Sequence, residues 1–461
     1  MIRVLLVIIV GLTGSGCATR GALDIPCPRF VEMVEELPRG GIEADIQADA
    51  EPGQRLHAAS ASSHVSPLQA AAQQAVARQT LTRGSTSAPS DILLLSGGGQ
   101  WGAFGAGFLH QLHADGSEHL PRPALITGVS TGGLQTLYLA LAEDDQRYAK
   151  LLAQYQPEDE QEIVDRNPMW MTPIRGSVAG LSPLRRRIER ALCTDGDPAR
   201  GCPMIDALAR RTATSPTALI GFVEASSGRF LYVDVRQLAA LAADGRVESR
   251  REAQQCLTGA ALASAAMPVF FQQVRVNGTT YYDGGVRQSV FEAAIGREMQ
   301  LAATSRVRNL LQQRRSQLPL AEHDKVLSAP SVLGMLEEAT PRLFVIRNGP
   351  TVLERDKEPN QSAGPLTNAL RAEAIIVNEL EVGSIAELRL TRPTGEFRVV
   401  TADGFKCEKR PAAAMFSPSF MQCLARFGAA RAGRQSPWLP IRPITGAEAQ
   451  AEQLIEEERR R

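Results

Sequence analysis

One six-residue stretch predicts the centre of the fold: Gly128-Val129-Ser130-Thr131-Gly132-Gly133. The apolar run at 124–126 before it predicts a short buried strand, and the apolar residues after it recur with helical spacing. A serine at the apex of a strand-to-helix turn, with a glycine two residues away on each side, is typical of a nucleophile elbow. The glycines permit a sharp turn whose flanking backbones pass close together. The serine hydroxyl would then project beside backbone amides at a helix N-terminus.

A glycine-rich loop lies upstream of this turn. Residues 97–99 are three consecutive glycines, followed by Gln100-Trp101-Gly102, between an apolar run at 91–95 and a helical pattern. Unhindered amides near a helix N-terminus can bind an oxyanion or a phosphate. The loop has no Gly-Lys-Ser/Thr as in a Walker A motif, and the next strand does not end in the acidic residue of a dinucleotide fingerprint. The loop is therefore a candidate oxyanion hole.

An activated serine also needs a proton acceptor. The six histidines lie in a polar N-terminal segment, before the elbow, or in a charged stretch: His57, His64, His110, His113, His119 and His323. None follows the elbow at a strand end, where a catalytic histidine is expected. Asp283 is the better candidate, because it ends a predicted strand and precedes Gly284 and Gly285. Burial beside the serine would raise its pKa from about 3.9 and make it a better base. The alternative is an ordinary Asp-Gly turn.

The order of the predicted elements indicates the fold class. Strand, glycine loop, helix, strand, elbow and helix form a βαβα run, which predicts a three-layer α/β fold: a mostly parallel sheet with helices on both faces. Hairpins are predicted at 219–235 and 274–282, the second around an Asn-Gly turn, and later strands at 342–347 and 386–390.

Taken in order, the three motifs resemble those of the patatin-like phospholipases, which are lipid acyl hydrolases with a Ser–Asp dyad and no catalytic histidine. The stretches at 263–270 (ASAAMPVF) and 181–192 are also similar to that family, and the similarity spans roughly residues 90–430. The resemblance implies that Ser130 is the nucleophile and Asp283 the base. It implies the following glycine roles: an oxyanion hole from Gly97, Gly98 and Gly99, and turn positions at Gly102, Gly128, Gly132, Gly284 and Gly285.

Trp101 departs from the family pattern, which usually has Arg or Lys just before the last glycine of the first motif. Backbone amides survive such a change, so an oxyanion hole is still expected. The missing charge favours less anionic esters as substrates.

The activity that the resemblance implies is acyl transfer from a lipid ester to water, as in a phospholipase A or another carboxylic ester hydrolase. No Cys, His or carboxylate spacing indicates a metal site, and no cofactor is expected. Two alternatives remain: an acyltransferase with an acceptor other than water, and a non-catalytic lipid-binding lipoprotein on the same fold. An apolar loop at 167–174 is a candidate acyl-channel lining or a part of the core.

Charge excludes one class of partner. The chain has 50 basic and 50 acidic residues, so its formal net charge is zero and there is no basic field to attract nucleic acid. The expected partners are a lipid or ester substrate and a membrane.

The N-terminus predicts export. Arg3 precedes an apolar run at 4–12, which is shorter than the about 20 residues of a membrane-spanning helix and is typical of a signal peptide. Small residues then lead to Cys17, and the stretch resembles a bacterial lipoprotein signal, although Gly14 stands where leucine is usual. Lipidation of Cys17 is the preferred interpretation and ordinary secretion the alternative. The first predicts a lipoprotein of the bacterial cell envelope, at the outer membrane or the periplasmic face.

The predicted organisation has four parts. They are a signal peptide at 1–16, a tether with surface helices at 17–89, the hydrolase domain at 90–430 and a charged C-terminal tail at 431–461.

Export also changes what the cysteines can do. Without Cys17, six of the seven cysteines remain, an even number that permits up to three disulfides in an oxidising compartment. Cys193 with Cys202, and Cys407 with Cys423, are close enough in sequence to be candidate pairs. Because six cysteines allow 15 connectivities, the framework stays open at this point.

A Cys17→Ser variant tests the lipid anchor. We expect the variant to lose palmitate labelling in a bacterial host and to leave the washed membrane fraction, because serine offers no thiol to acylate. Western blotting of soluble and membrane fractions measures the change. A variant that stays in the membrane fraction in wild-type amounts would contradict lipid anchoring through Cys17.

Overall fold

The computed structural model describes most of the chain. The described residues are 21–37, 65–81, 89–168, 176–210, 212, 214–291, 293–319, 322, 326–353, 364–391, 394–408, 415–442 and 446–460. The predicted signal peptide, Cys17 and most of the apolar loop at 167–174 lie outside them. Within these ranges, no helix is long and apolar enough to cross a membrane.

The described strands are β1 (Leu23–Ile25), β2 (Glu35–Glu36), β3 (Asp91–Leu95), β4 (Pro123–Val129), β5 (Asp165–Arg166), β6 (Ala179–Gly180), β7 (Thr217–Glu224), β8 (Phe230–Asp234), β9 (Val274–Val276), β10 (Thr279–Asp283), β11 (Leu343–Ile346), β12 (Phe397–Val400) and β13 (Leu439–Pro440). The α-helices are α1 (Phe30–Met33), α2 (Pro67–Leu81), α3 (Gly102–Ala114), α4 (Thr131–Leu139), α5 (Arg147–Gln154), α6 (Ser182–Leu192), α7 (Pro203–Ala209), α8 (Val235–Ala240), α9 (Val247–Ser264), α10 (Ala293–Ser316), α11 (Ala329–Ala339), α12 (Pro365–Thr391), α13 (Pro418–Ala432) and α14 (Ala447–Arg460).

A mixed sheet forms the centre of the described structure. Its middle strands β7, β4, β3, β11 and β12 are parallel, whereas β8, β10 and β13 pair antiparallel to their neighbours. The predicted mostly parallel α/β fold is confirmed. Because the carboxyl ends of parallel strands meet at one edge, the loop after β3 and the turn after β4 lie side by side.

Helices cover both faces of this sheet. Along β3, Leu93 and Leu95 join a core with α3, α4, α9 and α13, while Ile92 and Leu94 join a second core with α2, α10 and α12. Successive strand residues point to opposite faces, so a strand buried on both sides reads as an uninterrupted apolar run. The apolar run at 92–95 has this cause.

Both segments predicted to lie outside the domain contribute to its packing. Helix α2, from the predicted tether, buries an apolar stripe against α10 and the sheet, and β1 pairs with β9. Helix α14, from the predicted tail, buries Ala451, Leu454 and Ile455 beside α11. The prediction underestimated these segments because it weighed their polar composition more than the spacing of their apolar residues.

The predicted strand at 386–390 is wrong. These residues belong to α12, in which Leu388 is buried and Leu390 is 61% exposed. The alternation Ala-Glu-Leu-Arg-Leu suits a half-buried strand, but the same residues are good helix formers at the end of a long helix. The other predicted strands and hairpins are confirmed in type.

Three disulfides join the described cysteines. The candidate pairs Cys193–Cys202 and Cys407–Cys423 are confirmed. The third disulfide joins Cys27, near the start of the described chain, to Cys256 in α9 across a sequence separation of 229. It ties the β1 segment to the domain, which again places residues of the predicted tether within it.

Loop length predicts which disulfide stabilises the fold most. In the chain-entropy account, the disulfide with separation 229 stabilises by about twice as much as the one with separation 9. We therefore expect a Cys27→Ser/Cys256→Ser variant to lose about 5 kcal/mol of unfolding free energy, against about 2.5 kcal/mol for Cys193→Ser/Cys202→Ser. Urea unfolding of both variants gives the comparison. An equal or larger loss for the short loop would contradict it.

Candidate active site

Ser130 lies at the apex of the turn between β4 and α4. Its φ of 55° and ψ of −123° are unfavourable for a residue with a side chain, and such strain is concentrated at functional sites. The flanking glycines are required by close backbone contacts. A Cβ at Gly128 would lie 2.1 Å from the Gly132 carbonyl oxygen, and one at Gly132 would lie 2.3 Å from the Leu95 carbonyl oxygen. The turn can therefore form only with glycine at both positions.

Asp283 ends β10, two strands from the nucleophile turn. Strand β7 separates the two residues: its Gly221 pairs with Val129, next to Ser130, and its Phe222 pairs with Asp283. The Asp283 side chain is 1% exposed, and the Gly285 amide donates a hydrogen bond of 2.7 Å to its Oδ1. The structure thus brings Ser130 and Asp283 together, as the sequence predicted.

Burial sets the protonation of this carboxyl group. It raises the pKa of Asp283 to about 7, against the opposing effects of hydrogen bonds from the Ser130 hydroxyl and the Gly285 amide, while the charge of Glu381 raises it further. A second carboxyl group, that of Glu373 in α12, also has its pKa raised to about 7, first by burial and then by the charge of Asp283. A carboxylate with a pKa near neutrality can accept a proton effectively at that pH.

The glycine loop runs directly beside Ser130. A Cβ at Gly97 would lie 3.3 Å from the Ser130 Cβ, and one at Gly98 would lie 1.9 Å from the Asn348 carbonyl oxygen. Gly98 and Gly99 have φ angles of 132° and 54°, which favour glycine. The loop therefore requires glycine for its conformation as well as for its proximity to Ser130.

The three loop amides are not equivalent. The Gly97 amide donates to the Ser289 hydroxyl at 3.2 Å, so it is occupied in this conformation, and its role as an oxyanion donor stays a prediction. Among the described residues, no acceptor takes the amides of Gly98 and Gly99. These two amides are the candidate oxyanion donors.

Trp101 has a packing function where the family pattern has a cation. Its ring makes edge contacts with Phe405 and Phe420, with centroid distances of 4.9 and 5.2 Å. The neighbouring Gln100 accepts a hydrogen bond from the Ser417 amide at 3.1 Å. The glycine loop is thus attached to the segment around α13 by aromatic packing and one hydrogen bond.

An apolar cavity opens beside Ser130. Ser130 and Gly99 lie on its wall, and most of its lining is apolar: Leu134, Leu181, Ile188, Leu192, Phe271 and Met421. The Tyr155 hydroxyl at the cavity is 2.6 Å from the Thr131 hydroxyl, and Arg187 is held by Gln154 and Glu162. A mostly apolar lining is usual in small-molecule sites, and this lining suits a hydrocarbon chain.

Sequence reasoning missed three polar residues of the site. Ser264 accepts a hydrogen bond from the Ser130 amide at 2.8 Å, Ser289 holds Gly97, and Asn348 contacts the glycine loop. Ser264 lies in the ASAAMPVF stretch, so a signal for it was present. Ser289 and Asn348 follow strand or turn ends without a recognisable motif.

The comparison with protein families agrees with the geometry. Residues 93–294 match the family model described as patatin-like phospholipase, which is less than half of the chain and includes the glycine loop, Ser130 and Asp283. No curated protein matches the chain. Residues 93–294 are therefore similar to the patatin-like phospholipases. In the described ranges, no cluster of His, Cys, Asp or Glu could hold a metal ion.

An Asp283→Asn variant should be more stable than the wild type in alkaline solution. The pKa of Asp283 is about 7 in the folded protein and about 3.9 unfolded, so stability is lost as the pH rises from about 4 to about 7. Above that window the buried charge costs roughly 4 kcal/mol, which asparagine avoids. Urea unfolding at about pH 4 and about pH 8 should show a gain at the higher pH only. A less stable variant at the higher pH would contradict a carboxyl group buried in this way.

Proposed function

We propose that the protein is a lipid acyl hydrolase, a phospholipase A or related carboxylic ester hydrolase, that uses a Ser130–Asp283 dyad. The observation that carries the proposal is the placement of a strained serine at the end of one strand and a buried carboxyl group at the end of another, with one strand between them, where burial raises the pKa of the carboxyl group to about 7. The site lies at the wall of an apolar cavity, which supports a lipid as the substrate.

In the proposed reaction, Asp283 accepts the hydroxyl proton while Ser130 Oγ attacks the ester carbonyl. The amides of Gly98 and Gly99 hold the oxyanion of the tetrahedral intermediate. Its collapse expels the alcohol, which takes the proton from Asp283, and leaves the acyl group on Ser130. Water then donates a proton to Asp283 and adds to the acyl-serine, which gives a second tetrahedral intermediate. When this intermediate collapses, the bond from the acyl carbon to Ser130 Oγ breaks, Asp283 returns the proton to Oγ, and the fatty acid leaves.

The acyl chain is the part of the substrate that the cavity suits best. A hydrocarbon chain in the cavity would cover the apolar lining and remove apolar surface from water, which stabilises the complex. The polar groups of Tyr155 and Arg187 already have protein partners. Trp101 supplies no positive charge to the glycine loop. This supports a preference for esters that carry no negative charge close to the ester group.

The proposal extends to the location of the protein. We propose export and anchoring through a lipidated Cys17, with the hydrolase domain in an oxidising compartment. The three disulfides support this, because such bonds persist in secreted and periplasmic proteins and are rare in the cytosol.

Ser130→Ala and Asp283→Asn should each lower the hydrolysis of p-nitrophenyl butyrate and of a diacyl phospholipid by at least about 10³-fold. Wild-type activity should rise with pH up to about 7 and then level off, because Asp283 must be ionised to accept the proton. Ser117→Ala, at the opposite end of α3 from the glycine loop, is the matched control and should keep full activity.

A serine-directed fluorophosphonate separates the alternatives. Labelling of Ser130, mapped by mass spectrometry, supports an active nucleophile, whereas no labelling of the folded protein favours a non-catalytic lipid-binding protein. Acyl transfer to an added alcohol in preference to water would identify a transferase. Full activity in either dyad variant would exclude the dyad.

A further inference from the structure

The end of α9 contacts both halves of the dyad. The Ser264 hydroxyl oxygen accepts a hydrogen bond of 2.8 Å from the Ser130 amide. Two residues later, the Ala266 carbonyl oxygen accepts a hydrogen bond of 3.1 Å from the Asp283 amide. One three-residue segment therefore binds the backbone of the nucleophile and the backbone of the base.

The Ser264 hydroxyl also reaches the strand that separates them. It donates a hydrogen bond of 2.7 Å to the carbonyl oxygen of Gly221 in β7. Gly221 pairs with Val129, immediately before the nucleophile, and the next residue of β7 pairs with Asp283. The hydroxyl thus links the Ser130 amide to the strand that fixes the separation of nucleophile and base.

The direction of these bonds is determined. Because the Ser264 proton is donated to Gly221, only a lone pair of its oxygen remains for the Ser130 amide. Ser264 is fully buried, and so is its hydrogen bond to Gly221. The space for it comes from the second glycine after the nucleophile, since a Cβ at Gly133 would lie 2.9 Å from the Ser264 oxygen.

The hydrogen bond acts on the most strained residue of the site. Ser130 has a φ of 55°, a conformation that persists only where its surroundings hold it. Without an acceptor for the Ser130 amide, a rotation of the turn towards a relaxed conformation would become favourable, and Oγ would move relative to Asp283.

We infer that Ser264 is a positioning residue, whose hydroxyl holds the Ser130 backbone in the conformation that presents Oγ to Asp283. The inference rests on the proposed hydrolase function. Small displacements of a nucleophile can cost about 10²-fold in rate, so loss of the hydroxyl should lower turnover rather than substrate binding.

The closest structural comparison lies on the same helix. Thr258 is also fully buried in α9, but its hydroxyl has no hydrogen-bond partner among the described residues. Thr258→Val therefore removes a buried hydroxyl from α9 without removing a contact to the dyad. It is the matched control for Ser264→Ala.

The experiment compares full-length wild type, Ser264→Ala, Ser264→Cys and Thr258→Val. We expect Ser264→Ala to lower kcat for p-nitrophenyl butyrate, and the rate of fluorophosphonate labelling, by about 10- to 100-fold with KM changed less than about threefold. Ser264→Cys, with a weaker acceptor of similar shape, should be intermediate. Thr258→Val should stay within about twofold of the wild type. Hydrogen exchange of the Ser130 amide should be faster in Ser264→Ala only.

Ser264→Ala with wild-type kcat, or with a change in KM alone, would overturn the inference. Circular dichroism and Tm show whether Ser264→Ala folds. If it does not fold, the kcat and KM of Ser264→Cys decide the inference in the same way. If the wild type neither hydrolyses esters nor labels at Ser130, the proposed function fails. The exchange rate of the Ser130 amide then decides the positioning role: equal rates in wild type and Ser264→Ala would exclude it.

Discussion

The burial of the Asp283 carboxyl group against the Ser130 hydroxyl is the interaction on which the site depends. Burial raises the pKa of this group to about 7, and the hydrogen bonds that oppose the shift come from Ser130 and Gly285. An ordinary exposed aspartate would be too weak a base near neutrality, and desolvation of the carboxylate would let the proposed dyad work without a histidine. The same burial makes the folded state less stable when the group is ionised.

Close backbone contacts determine most of the remaining geometry of the site. Gly128, Gly132 and Gly98 lie where another backbone passes at a distance that leaves no room for a Cβ. These contacts bring the loop after β3 and the turn after β4 together, with Gly98 and Gly99 in the loop that runs beside Ser130. Side chains then attach this framework to its surroundings, as Trp101 does through Phe405 and Phe420.

Local sequence patterns predicted a strand, turn or helix correctly where the residues fitted only one of these structures. The strands β3 and β4, the elbow and the Asn-Gly hairpin have signals within a few residues, because turn geometry and burial act locally on those residues. Residues 386–390 were mistaken for a strand, since a short alternating run also fits a helix face. Helices were predicted in the segments of α2 and α14, but their polar composition concealed the apolar stripes that pack on other helices.

By itself, the sequence determined the α/β class, the elbow at Ser130, the glycine loop and Asp283 as the candidate base, because each depends on a residue type at a fixed spacing. Tertiary structure alone decided that the Gly97 amide is occupied by Ser289, that Cys27 pairs with Cys256, and that Ser264 holds the Ser130 amide. Each of these contacts joins residues more than 100 positions apart. Their partners are set by how strands and helices pack, and no local spacing encodes them.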